Sequence, residues 1–307
     1  MKFKAQFDFM KMRRPALFFS LALVVCSLLL VTFRGLNLGI DFTGGNVVQV
    51  EFSSRPDVGE VREVVSSVVA REAMIQNFGD SGIIIRTNED TEKSREQVVD
   101  VLKGHYPDMK VIGFEKVGPV VGRELRNQAL LGVTAALVAI LIYITVRFQF
   151  RFAVVSVLPL MHDVIVALGF FSLTRMEIAS SFIAALLTIV GYSLNNTIII
   201  LDRVRENWKD LGKAGILDLM NLSINQTLSR TVNTTLTTLF PVLTLCIWGG
   251  PVLAAFSYAM LVGIIAGTYS SIFVATGMLA EWWLWKPDRT IPLSSRAKAQ
   301  EKNAAKA

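Results

Sequence analysis

Cysteine and histidine are nearly missing from this chain, and charge is sparse. Two cysteines occur in 307 residues, Cys26 and Cys246, and both fall inside apolar runs. A thiol in such a run behaves as a small hydrophobe, so there is no disulfide framework here. The two histidines, His105 and His162, are too few for a histidine metal site. Only 18% of the residues are charged and 52% are apolar, which excludes a water-soluble domain of ordinary composition. No nucleotide-cradling loop, metal-ligand cluster or nucleophile–base pair is visible, so the chain reads as a non-enzyme without a cofactor.

Long apolar runs are what the chain has in abundance. A bilayer crossing needs about 20 such residues. Six candidate spans follow: 16–33, 129–146, 152–173, 178–201, 231–248 and 253–285. The fifth is diluted by threonines, whose hydroxyls bond back to helix carbonyls and are tolerated there. The first is too long for a cleavable signal and no small-x-small site follows it, so it reads as an uncleaved anchor. Basic residues collect on one side: Lys2, Lys4, Lys11, Arg13 and Arg14 before the first span, Arg147 and Arg151 after the second, Arg203, Arg205, Lys209 and Lys213 after the fourth, and Lys286 onward after the sixth. The short turns opposite carry only Arg175. The positive-inside rule then places both termini in the cytoplasm. These anchors account for the net charge of +6, so the lipid bilayer is the partner implied, not nucleic acid.

The chain divides into a cytoplasmic N-terminus (1–15), the first span (16–33), a polar outer domain (34–127), and a five-helix membrane part (128–285). That last part includes a cytoplasmic loop at 202–230, and a polar tail (286–307), expected to be disordered, follows it. The outer domain shows β-branched strands at 47–52 and 110–117. A hairpin at 74–78 and 83–87 turns around Asp80. Helices are expected at 57–70, capped by Asp57, and at 91–105. The order β-α-β-β-α-β is that of the ferredoxin-like sandwich.

Polar residues inside the spans mark the candidate site. Thr188, Tyr192 and Asn196 recur every four residues and share a face of the fourth span. On the fifth, Arg230, Asn233 or Thr234, Thr237 and Pro241 share another, and Asn196 and Arg230 are expected to face each other near the cytoplasmic end. Intramembrane polar groups line bundle interiors or ion pathways, or glue helices together, and both readings stay open for Asn195 and Asn196. His162 and Asp163 are adjacent, so a helix points them about 100° apart. They are not expected to line one seam, and Asp163 is left between packing and coupling. Asp41 suits a structural hydrogen bond beside a glycine turn at Gly44 and Gly45. Asp202 to Glu206 reads as a solvated helix end, and 220–228 as an amphipathic interfacial helix.

Six short segments occur in a recognisable order: GIDFTGG (39–45), VGPVVG (117–122, with Gly118 and Pro119), His162-Asp163, GYSLN…DRVREN (191–207), Ser229-Arg230-Thr231 and GGPVL (249–253, with Gly249 and Gly250). Together they resemble the SecF family, the smaller membrane subunits of bacterial SecD–SecF protein-export complexes. The resemblance implies half of an RND-type transporter in the bacterial inner membrane: a six-helix membrane α-helical bundle with an inserted α+β ferredoxin-like periplasmic domain. It implies SecD, the Sec translocon channel and a translocating preprotein as partners, and a proton or sodium gradient as the energy source. It also implies an aspartate where this chain has Asn196, and an amide cannot titrate. A non-coupled structural scaffold and an RND-like small-molecule or lipid exporter are the alternatives. Gly118 to Gly122 and Gly39 to Gly45 are expected to act as hinges for the outer domain.

Overall fold

The computed structural model describes residues 7–54, 56–69, 73–79, 81–87, 91–147, 150–208 and 211–286. Lys2, Lys4, Asp80, Lys209 and the polar tail from 287 lie outside the described residues.

Six helices are long and apolar enough to cross a membrane. The first is α1 (Arg13–Arg34). A short helix α2 (Ile40–Thr43) follows it. The next two spanning helices are α5 (Pro119–Arg147) and α6 (Phe150–Thr174). They are followed by α7 (Ser180–Asn207) and α8 (Leu211–Trp248). The last run is α9 (Gly250–Tyr269), a π-helical turn at Ser270–Ala275, and α10 (Thr276–Trp285). α7 is central and packs on α6, α8 and α9, while α1 packs on α6. Lipid supplies no hydrophobic drive between helices, so close approach at small residues holds them together. A side chain on Gly263 would collide with Ile189, and one on Gly169 with Ser27. α5 starts ten residues before the span expected at 129.

The loop expected at 202–230 is corrected to helix. α7 runs on to Asn207 and helix resumes at Leu211, broken at Gly215, whose φ 76° and ψ 163° are not helical, so most of that stretch is helical. The (i, i+3) pairs Arg203–Glu206 and Arg205–Asp202 hold the end of α7. Asn207 donates to Ser223 Oγ at 3.0 Å and to Gln226 Oε1 at 2.9 Å, tying the two helices together. The amphipathic stretch is the start of α8. Its apolar side (Leu219, Met220, Ile224) enters a core with Trp208 and Leu279. Its polar side, Asn221 and Asn225, bonds the backbone of Met10 and Phe7.

The outer domain holds strands β2 (Gly45–Glu51), β3 (Met74–Phe78), β4 (Gly82–Thr87) and β5 (Lys110–Val117). A two-residue strand β1 (Asn37–Leu38) precedes them, and β6 (Glu177–Ile178) pairs with it in parallel. The four-stranded sheet is antiparallel throughout, in the order β3-β4-β2-β5. Helices α3 (Val58–Ser66) and α4 (Glu92–His105) supply Val61, Val65, Val98 and Leu102, which bury against Val48, Val50, Ile83 and Ile85. Each such side chain contributes about 1.5–3 kcal/mol. Asp57 caps α3 by accepting from Gly59 N at 2.7 Å, and Thr91 caps α4 by accepting from Ser94 N.

The ends of this domain are clasped, unlike the expected free hinges. Gly44 has φ 75°, and a Cβ there would lie 2.9 Å from Pro119 Cα. A Cβ on Gly122 would lie 2.9 Å from Gly44 N. The two glycine segments thus touch where the chain enters and leaves the domain. Gly250, φ 70°, makes the turn from α8 to α9 beside Gly249.

Candidate functional site

The membrane bundle encloses a polar centre. Asp163 of α6 is wholly buried. Its Oδ2 accepts from Ser193 of α7 at 2.6 Å and from Ser270 of the π turn at 2.9 Å. Its Oδ1 lies 2.9 Å from His162 Nδ1, so the tautomer protonated there donates to it. His162 is buried too, which corrects the expectation that the adjacent pair could not line one seam. The 100° step separates their Cα–Cβ directions, but rotation about the side-chain bonds brings the tips together. Three elements therefore meet at one carboxylate. Gly267 permits this close approach, since a Cβ there would stand 3.0 Å from Ser193 Cβ and 3.5 Å from Asp163 Oδ2.

Asn196 lies one turn along α7 and is fully buried. Neither of its amide atoms has a hydrogen-bond partner among the described residues, and the same holds for Thr197 Oγ1 and Thr231 Oγ1. The expected hydrogen bond between Asn196 and Arg230 is not found among the described residues, and Arg230 is exposed. The reason is the phase of α8. Ser223, Thr227 and Thr231 are buried at four-residue spacing, so they form its inward face. Arg230, one residue away, is turned about 100° aside. Thr235 continues that inward line: it accepts from Tyr192 OH at 2.8 Å and sits 3.1 Å from Thr268 of α9. Thr188 and Asn195 are exposed, Thr188 bonding back to Ala184 O. Thr234 likewise bonds back to Arg230 O. The structure brings Asp163 and Tyr192 into networks, buries Asn196, and leaves Thr188, Asn195 and Arg230 outside them. Ser193, Thr197, Thr231, Thr235 and Ser270 were missed from the sequence. Helical spacing from Asn196 points to Ser193, but nothing in the sequence marks the π turn at Ser270.

A second polar junction joins the outer domain to the bundle. Asp41 Oδ2 accepts from Ser180 N at 2.6 Å, placing a carboxylate on the first turn of α7, where the helix dipole favours it. Arg86 of β4 pairs with Glu177, and both side chains are mostly buried. Arg86 also donates to Gln76 at 2.9 Å. The pair borders a cleft of about 490 Å³ between the open face of the sheet and the outer ends of α6 and α7. Burial pushes the Glu177 carboxyl above the usual glutamate range; Arg86 opposes this, and Asp41 and Glu115 add to it. A carboxyl raised in the folded state favours folding at low pH and loses that contribution as pH rises from about 4. Glu177→Gln is therefore expected to flatten the slope of stability against pH above about 4, read from denaturation midpoints. Parallel curves for the two proteins would mean that this carboxyl holds its proton no better folded than unfolded.

Known proteins share both the sequence and this architecture. Residues 97–285 match the family described as protein export membrane protein SecD/SecF, C-terminal, and residues 29–54 match the SecD/SecF GG motif. The protein translocase subunit SecF of Calditerrivibrio nitroreducens is 41% identical over 281 residues, covering 89% of this chain and 92% of that protein. The SecF of Desulfurispirillum indicum is 43% identical over 285 residues, covering 89% and 91%. A crystal structure of SecDF from a Thermus species, described as a translocon-associated membrane protein, superposes with a TM-score of 0.85 at 38% identity. It covers 91% of this chain, which spans only 39% of that longer one. A SecDF structure in a super-membrane-facing form gives 0.71 at 37% identity, over 100% of this chain and 41% of the other. With family matches over both the outer-domain boundary and the membrane bundle, and relatives this similar over most of their length, the chain belongs to the SecF family.

Proposed function

We propose that this chain assists Sec-dependent export of unfolded preproteins on the outer side of the bacterial inner membrane, drawing on an ion gradient, with SecD as its partner. The observation that carries this is a buried polar centre inside a six-span bundle of this family. Polar groups at that depth are costly and belong to ion pathways more often than to lipid-facing structure. The outer domain is read as a ferredoxin-like periplasmic module, supported by its β-α-β-β-α-β order and by two helices on one face of the sheet. Both termini are read as cytoplasmic on the charge asymmetry. The exposed polar line of Thr188, Asn195, Arg230, Asn233 and Thr237 suits contact with the spans of a second six-helix subunit, since transporter sites form between two such halves.

One observation favours a second reading, a scaffold without coupling: the amide of Asn196 cannot exchange a proton. Both readings are tested by preprotein translocation into membrane vesicles that contain this chain and SecD. Export stimulated by the chain is expected to fall when the proton and sodium gradients are collapsed. Stimulation that survives the collapse undiminished overturns coupling and leaves the scaffold.

A further inference from the structure

We propose that the segment 7–12, ahead of α1, is a releasable strap that shuts water out of the polar centre from that end of the bundle. Residues 7–9 are neither helix nor strand, and Met10–Met12 form a single 3-10 turn. Two asparagines four residues apart on α8 hold this stretch by its backbone. The Asn225 amide donates to Phe7 O at 2.8 Å and accepts from Phe7 N at 3.0 Å, the two-way bond that one strand makes with the next. Asn221 Oδ1 accepts from Met10 N at 3.0 Å, and its Nδ2 donates to the Asp8 carboxylate at 2.6 Å. Phe7 and Asp8 are exposed, so water can replace their bonds. A segment with exposed bonds and few buried contacts opens at low cost.

Two side chains of the strap reach inward. Met10 is 1% exposed and completes an apolar layer with Ile200 and Leu201 of α7, Met220 and Ile224 of α8, and Leu279 of α10. Ile200 and Leu201 lie one turn beyond Asn196 and Thr197 on α7, so this layer stands between the polar centre and the end of the bundle where α1 begins. The amide of Asn196 and the hydroxyl of Thr197 are buried and lack partners among the described residues, so water that reached them would bind. Phe9 sets its ring edge-on against Phe273 of the π turn, with centroids 5.8 Å apart, and Phe273 lies 5.3 Å from Tyr269. Ser270, next in sequence, donates to Asp163. The strap therefore also touches the turn that supports the carboxylate.

The test uses the full chain in lipid nanodiscs, with Cys26→Ala and Cys246→Ala and a reporter thiol from Thr197→Cys. The probe is a permanently charged methanethiosulfonate, which labels a thiol that water reaches. Slow labelling is expected with the strap intact, and fast labelling there overturns the seal. Asn221→Ala with Asn225→Ala is expected to speed labelling about ten-fold or more, equivalent to about 1.4 kcal/mol and within reach of the hydrogen bonds removed. A second reporter, Ala185→Cys, lies in the other core cluster of α7 and is expected to stay slow. Hydrogen exchange at the Met10 amide reports release of the strap. Faster exchange with unchanged labelling at 197 overturns the seal, as does equal acceleration at 185 and 197, which marks general loosening. Unchanged exchange overturns the asparagine clasp. If the double variant does not fold, Met10→Ala keeps the backbone bonds and removes only the plug, and unchanged labelling at 197 then overturns the proposal. Neither a gradient nor a preprotein enters the measurement, so the export reading stands or falls separately.

Discussion

Asn196→Asp is expected to raise gradient-dependent export by about five-fold or more, the low end of the coupling between linked sites. The side chain it replaces is wholly buried and its amide has no partner among the described residues, so the position already tolerates an unsatisfied polar group. Asparagine and protonated aspartic acid have nearly the same volume, and expression and assembly should survive. What changes is chemistry: the new carboxyl can take up and release a proton at membrane depth. Arg230 is exposed and turned about 100° away from the inward face of α8, so Arg230→Ala in that background is expected to leave the gain in place. The readout is preprotein translocation into vesicles with the gradient present and collapsed. No change in the gradient-dependent fraction would place coupling away from Asn196.

Gly169→Leu is expected to abolish assembly of the bundle. At this position α6 meets α1 so closely that a Cβ would collide with the Ser27 hydroxyl and fall 2.8 Å from the Ser27 main chain at Cα. A side-chain atom can rotate away, but a backbone atom cannot, so one whole helix must move. The displaced surface includes Ser172 of α6, whose hydroxyl donates to Leu30 O at 2.9 Å and Gly35 O at 2.8 Å. Overpacking alone costs about 1–3 kcal/mol. Loss of these bonds in a setting without water adds to it, and total stability is only about 5–15 kcal/mol. Yield of monodisperse protein after detergent extraction measures the effect. Gly132→Leu on α5, which meets open space, is the control and should behave as wild type.

Hydrophobic length made the six long apolar helices legible, because a bilayer sets the length of an apolar run in one dimension along the chain. The strands and helices of the polar domain were legible for a similar reason: the valines at 61 and 65 and the cap at Asp57 are local patterns, while the cap at Thr91 came from the structure. The amide at Asn196 stood out because a polar group in an apolar run is a local anomaly. What those patterns could not supply was phase. Arg230 and Thr231 are neighbours in sequence, and only packing against α7 and α9 turned the threonine inward and the arginine out. Nor could they find the partners of Asp163, which come from positions 193 and 270 and meet only when three helices close together. The glycines at 44 and 122 read as flexible joints in one dimension. In three dimensions they are small because backbone lies against them, which is a property of the neighbour and not of the residue.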